Sequence, residues 1–250
     1  MPKTFQRIES YYAGAYWGPR KESPEECARR AEAFWSAMAK VDPSFSRWFQ
    51  QGRSRKDALS RPIEPTRESL EKLIRRGRDR QFEDLGYSVW AWNGVCVDYE
   101  DSGLNFSCGA YSEAVSNVCV CSLPTRGSNA ERVLSVPVLT ELMRSMVLAW
   151  EPGFALVTSS MLRETMLRET VTSIGIAGTF VGWIMYFPRS RGTVPPLPAP
   201  VRIEPVEDKG MLVILTPDLL TVSNPEHVEL AQRVQGLLDR AGLLEPIITP

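Results

Sequence analysis

The chain has 250 residues, 43% of them hydrophobic, which is enough apolar material for a large core and argues against disorder. No apolar run reaches the ~18 residues of a membrane span, and the start MPKTFQRIES lacks the apolar stretch of a secretory signal, so a cytoplasmic location is expected. Five cysteines, Cys27, Cys96, Cys108, Cys119 and Cys121, form an odd set in a chain that can fold without staples, so reduced thiols are expected. The net charge of −1 hides a division: residues 1–80 carry 18 basic and 11 acidic side chains (+7), and residues 81–250 carry 11 and 19 (−8). An acidic major part does not attract nucleic acid, although it can attract a protein that binds nucleic acid.

In chain order, Thr4 to Tyr12 suits a strand, and the turn-prone GAYWGPRKES leads out of it. Ser23-Pro24-Glu25-Glu26 combines a capping hydroxyl, a proline at the first helical position and a carboxylate at the third, so a helix should begin there. Ala31, Phe34, Trp35 and Met38 would line its buried face until Asp42 and Pro43 end it. Phe45, Trp48 and Phe49 fit a short second helix, Ser54 to Leu59 a third, and Thr66 to Arg76 a fourth with Leu70, Leu73 and Ile74 inward before Gly77. Tyr87–Trp92, Val95–Tyr99, Leu104–Cys108 and Val118–Leu123 read as an antiparallel meander, with Asn93-Gly94 as a tight hairpin.

A long helix from Ser135 or Val136 to Trp150 follows, burying Leu139, Leu142, Met143 and Met146. Phe154–Thr158 and Thr179–Phe187 read as strands, and Val201–Val206 pairs with Met211–Thr216. MLRET at 161–165 is repeated at 166–170. Five residues do not match a helical turn, so the copy reads as a tolerated insertion at an exposed helix or loop. In GWIMYFPRSRGTVPPLPAP, Trp183, Met185 and Phe187 alternate with Ile184 and Tyr186, suggesting burial from both sides. Pro195, Pro196, Pro198 and Pro200 then form an extended connector. A last helix opens at Asn224-Pro225-Glu226 and stops at Gly242. The class is α+β, mainly antiparallel sheet flanked by helices with a helical N-terminal region. It forms one domain over 1–250, with 1–123 and 124–250 as possible subdomains.

Groups suited to catalysis are scarce. His227 is the one histidine, and it sits in the first turn of the last helix as a surface or boundary residue. There is no Gly-x-Ser-x-Gly elbow and no phosphate-cradling glycine loop, and a helix cap explains Ser159 and Ser160 as well as a nucleophile does. Cys96, Cys108, Cys119 and Cys121 could in principle hold zinc, with Cys119 and Cys121 on one side of a strand. Their spacing departs from Cys-x-x-Cys, and core packing is the favoured reading. No metal, cofactor or catalytic residue is therefore expected. Basic clusters at Arg53, Arg55 and Lys56 and at Arg75, Arg76, Arg78 and Arg80 lie beside acidic residues and read as solvated helix faces.

Ten segments in order, among them YYAGAYWGPRKESPEECARR, LGYSVWAWNG, AWEPGFALVTS, GWIMYFPRSRGTVPPLPAP and VEDKGMLVILT, resemble the immunity protein 52 family of bacterial polymorphic toxin systems across nearly the whole chain. The resemblance implies a cytoplasmic antidote that binds a cognate toxin. For the type VI secretion members, that toxin is a nuclease with a restriction-endonuclease-like fold. It transfers no catalytic residue, and Trp17, Trp92, Trp183 and Tyr186 among its motif residues are of a kind that builds cores. A nuclease cleft is basic because it holds phosphates, so Asp98, Glu100, Asp101, Glu113, Glu207 and Asp208 are the candidate toxin-binding residues. The alternatives are binding away from the toxin's active site, an enzyme that neutralises toxin action, and a nucleic-acid-binding regulator.

Overall fold

The computed structural model describes residues 8–167 and 179–247. Its strands are β1 (Tyr11–Trp17), β2 (Phe49–Gln50), β3 (Tyr87–Trp92), β4 (Gly103–Cys108), β5 (Asn117–Ser122), β6 (Phe154–Ser159), β7 (Ile184–Pro188), β8 (Arg202–Val206) and β9 (Gly210–Ile214). They form a nine-stranded antiparallel sheet in the order β2-β3-β4-β5-β1-β6-β7-β9-β8. The helices are α1 (Pro24–Met38), α2 (Arg55–Leu59), α3 (Arg67–Arg76), α4 (Gly127–Val133), α5 (Val136–Trp150), α6 (Ser160–Leu167) and α7 (Pro225–Arg240), giving an α+β fold. None of the described helices is by itself long and apolar enough to cross a membrane.

Helix α1 starts where its capping signal lies. The Ser23 hydroxyl accepts from the Glu26 N–H at 3.3 Å, and the Glu26 carboxylate accepts from the Ser23 N–H at 2.7 Å. Such a box satisfies two otherwise orphaned donors and stabilises a helix by about 1 kcal/mol. Ala31, Phe34, Trp35 and Met38 are buried as expected. In β1, Ala13, Ala15 and Trp17 face the same side as Cys119 and Cys121 of β5 and Phe106 of β4. Trp150 of α5 closes this side: its ring stacks on Trp17 with centroids 5.4 Å apart, meets Phe106 at 5.2 Å and lies 6.3 Å from Phe34. Thus α1 and α5 cover one face of the sheet.

The other face is covered over β6, β7 and β9, where Leu156, Thr158, Met185, Phe187 and Val213 are buried. Arg191 sits over the Phe154 ring and donates to the carbonyls of Gly153, Leu243 and Glu245, which ties the turn after α7 onto this face. Burial pushes the Arg191 pKa down. Two-sided cover explains the unbroken apolar run at 184–187. The ten residues 192–201 form no helix or strand, and Val194 and Leu197 pack the connector against the core. At one end of the sheet Glu22 binds Arg30 at 2.6 Å and Arg20 at 3.0 Å. Arg30 and Lys209 converge on Glu151, so α1, α5 and the β8–β9 hairpin are joined. The Lys209 ammonium, together with Arg30, outweighs burial and holds the Glu151 carboxyl below the usual carboxylate range.

Several expectations need correction. The strand assigned to Thr4–Tyr12 is Tyr11–Trp17, with Thr4–Arg7 outside the described residues. The first four residues of the supposed turn, GAYW, lie in the middle of the sheet, bonded on both edges, and Gly14 is there because Tyr16 lies along the strand over it. A Cβ at 14 would meet the Tyr16 hydroxyl at 2.6 Å. Phe45 belongs to a short 3-10 turn and Phe49 to β2, so no second helix forms over 45–49. Val95–Tyr99 is not a strand and Asn93-Gly94 is not a two-residue hairpin. The Asn93 carboxamide turns inward and closes a ten-residue loop, 93–102, while Gly94 adopts φ +79 against the Phe49 ring. The ladder of Thr179–Phe187 begins only at Ile184. The duplication is not wholly exposed: Leu162 of the first copy and Met166 of the second share a buried face of α6 at i, i+4 spacing, and residues 168–170 lie outside the described residues.

Candidate functional site

The strand register sorts the six acidic residues into two places. Trp92, Gly103, Ser122 and Tyr11 end their strands at one end of the sheet, and Cys108, Asn117, Pro188 and Gly210 lie at the other. Asp98, Glu100 and Asp101 sit in the β3–β4 loop at the first end. Glu113 sits in the β4–β5 loop at the second end, with Glu207 and Asp208 in the β8–β9 hairpin. Four strand steps separate β5 from β9, roughly 19 Å at about 4.8 Å per step. The set is thus two acidic regions on opposite ends, with Glu113 apart from Glu207 and Asp208 on the second.

The loop 93–102 is held by named bonds. The Asn93 carbonyl oxygen accepts from the N–H of Val95 at 3.3 Å and of Ser102 at 3.0 Å, and its amide donates to the Ser44 carbonyl at 3.2 Å. Trp92 Nε1 donates to Asp101 at 3.1 Å. Arg55, presented by the N-terminus of α2, donates to Asp98 at 2.5 Å and to the Cys96 carbonyl at 2.9 Å. The pair is exposed, so the contact orients more than it stabilises. Glu100 caps α4, accepting from Asn129 N–H and Ser128 Oγ at 3.2 Å each. All three carboxylates are bonded within the chain; Asp98 is exposed, whereas Glu100 and Asp101 are half-buried.

Tyr99 stands out in this loop. Its backbone is left-handed, φ +71, a region unfavourable for a bulky residue. Its carbonyl accepts from Thr125 N–H at 2.8 Å and Arg126 N–H at 3.2 Å, and the Arg126 guanidinium lies 5.3 Å over its ring. These contacts hold the ring 52% exposed, with Val97 beside it at 59%. An open groove of about 540 Å³, lined by Ser10, Tyr12, Asp98, Tyr99, Asp101 and Leu123, runs below. It opens toward the sheet face opposite α1 and α5, where Trp90 is 53% exposed and Ser88 and Ser122 are exposed. Reading the acidic residues alone misses Trp90 and Tyr99. The alternation in YSVWAW carries the signal, since Val89 and Ala91 point into the core and leave Trp90 outside.

The model of the family described as immunity protein 52 matches residues 9–247. The chain belongs to the immunity protein 52 family. An immunity function with a cognate toxin as partner follows from membership. This immunity protein also shares its fold with the Pseudomonas aeruginosa T6SS protein PA0821, with a TM-score of 0.53 and 11% identity over 96% of this chain and 74% of that one. No curated protein matches the immunity protein.

The remaining candidate groups in this immunity protein have structural partners. Ser159 Oγ accepts from the Leu162 N–H at 3.0 Å and donates to Glu9, so it caps α6. His227 Nδ1 accepts from the Thr221 N–H at 3.2 Å. Cys108, Cys119 and Cys121 are buried, while Cys96 is exposed on the β3–β4 loop. Burial raises all three buried thiols, Cys121 to about 12, opposing the thiolate a metal would need. Among the described residues no group of three or more His, Cys, Asp or Glu is placed to hold a metal ion. Arg55 is engaged by Asp98, Arg75 by Glu71 and Glu25, and Arg78 by Glu83. Trp17, Trp183 and Tyr186 are core residues, and Trp92 is half-buried.

Proposed function

We propose that this immunity protein acts in the cytoplasm as a non-enzymatic antidote, binding a nuclease effector of a type VI secretion system that has a restriction-endonuclease-like fold. The observation that carries this reading is the open, carboxylate-bearing loop with Asp98, Glu100 and Asp101, in the part of the chain whose formal charge is −8. A surface that grips phosphates is basic, so a loop bearing the exposed Asp98 beside the half-buried Glu100 and Asp101 accelerates encounter with it and competes with nucleic acid. Glu113 and the Glu207–Asp208 hairpin extend the negative field at the other end and contribute to steering more than to contact. The purified cognate toxin is incubated with plasmid DNA and with RNA, with and without the immunity protein. Cleavage that disappears on addition supports the reading, and a toxin that leaves both nucleic acids intact overturns the nuclease assignment. Reversing all six charges should slow association by about tenfold at low salt and flatten its salt dependence. An unchanged association rate removes the acidic residues from the account.

A further inference from the structure

We infer that the toxin docks on the open sheet face of β3, β4 and β5 together with residues 97–101, with Trp90 and Tyr99 as its two anchors and a basic patch of the toxin as the occupant. This rests on the antidote reading but not on the toxin being a nuclease. On this face Trp90 lies directly across from Asn105, with Ser88, Ser107 and Trp92 beside it and Val118, Val120 and Ser122 beyond on β5, so its ring is the large exposed side chain of the patch. The hydroxyls are already matched: Ser88 bonds Ser107 at 2.9 Å, and Ser122 accepts from the Gly103 N–H at 2.8 Å. Drying the face therefore strands none of these three hydroxyls, and the Asn105 side-chain oxygen is already buried without a partner among the described residues, so docking adds little further desolvation cost. Trp92 Nε1 is matched as well, by Asp101.

Trp and Tyr supply most of the energy in protein interfaces when set in a patch from which water is excluded, and here two such rings project from neighbouring parts of one surface. The sign of the partner follows from the groove beside Tyr99, at the start of β1 and the end of β5. Asp98 and Asp101 line it, so an arginine or lysine from the partner that enters finds carboxylate oxygens. A tyrosine held in left-handed backbone by two bonds to its carbonyl is pre-positioned, so little ordering remains to be done on binding.

The test measures affinity for the purified toxin with wild type, Trp90→Ala, Tyr99→Asn and Asp98→Lys. Asparagine at 99 tolerates positive φ, so that variant removes the ring without straining the turn. Phe82→Ala serves as control, since Phe82 is equally exposed at 52% but lies outside the surface. Each of the first three should weaken binding at least ~10-fold with an unchanged melting temperature, and Phe82→Ala should not. Toxin should also protect the amides of 88–92 and 97–101 from hydrogen exchange in the wild-type chain. Wild-type binding with Trp90→Ala and Tyr99→Asn equally tight, or protection confined to the Glu113 and Glu207–Asp208 end, overturns the surface alone. Loss of a homodimer, with toxin affinity retained in Trp90→Ala, overturns the assigned occupant in favour of a second copy. A wild-type chain that binds no toxin overturns the antidote reading and the surface together.

Discussion

Replacing Asn93 with alanine should loosen the loop that carries the proposed contact residues while leaving the sheet formed. The carboxamide serves three backbone groups: the N–H groups of Val95 and Ser102 and the carbonyl of Ser44. Ser102 is 1% exposed and Asn93 itself 5%, so water cannot readily replace the bond to Ser102. An unmatched buried group costs about 1–3 kcal/mol, and Val95 and Ser44 are half-buried and cost less, which places the total at roughly 2–4 kcal/mol. Urea unfolding followed by tryptophan fluorescence gives that loss directly, and hydrogen exchange at 95–102 shows where it falls. Asn93→Asp keeps the accepting oxygen and so should retain protection of the Val95 and Ser102 amides, which alanine loses. A loss below ~1 kcal/mol for Asn93→Ala, or unchanged exchange at 95 and 102, would refute the latch.

Two further outcomes follow from buried groups. Burial alone would raise Asp42, but bonds from Arg132 and Ser44 prevail and hold its carboxyl below the usual carboxylate range. A depressed folded pKa contributes stability that is present above the unfolded value and lost as pH falls through the folded one. Arg132→Ala should therefore lower the melting temperature most at neutral pH and least below about pH 3; an equal loss across pH 3–7 contradicts the pairing. In a thiol titration of the native chain, Cys96 alone of the five cysteines should react rapidly, and the other four only in denaturant. Two or more fast thiols would contradict the burial of Cys27, Cys108, Cys119 and Cys121.

Helices α1, α5 and α7 were legible in the sequence because their ends are written locally, in Ser23-Pro24 with Glu26, in Pro137, and in Asn224-Pro225 with Gly242 at φ +71. Strand β1 was not. Ala13-Gly14-Ala15 has no strand preference of its own, and β5 and β6 impose the extended form by bonding both its edges. Asn93-Gly94 misled for a related reason. Its local turn preference yields to a side chain that is more useful inside, where it joins 95, 102 and 44. The charges of the candidate surface could be read off the chain, but their separation to two ends of the sheet depends on strand order, which no local pattern encodes. Glu100 capping α4 is equally non-local, bridging 28 residues to Ser128.

Neutralisation by binding has a fixed stoichiometry. Toxin activity, at a fixed toxin concentration well above the dissociation constant, is titrated with the immunity protein and read after short and long incubation. A binder gives a break near one immunity protein per toxin, and the break stays in place as incubation lengthens. Protection at a small fraction of that ratio, growing with time, would show turnover and contradict neutralisation by binding.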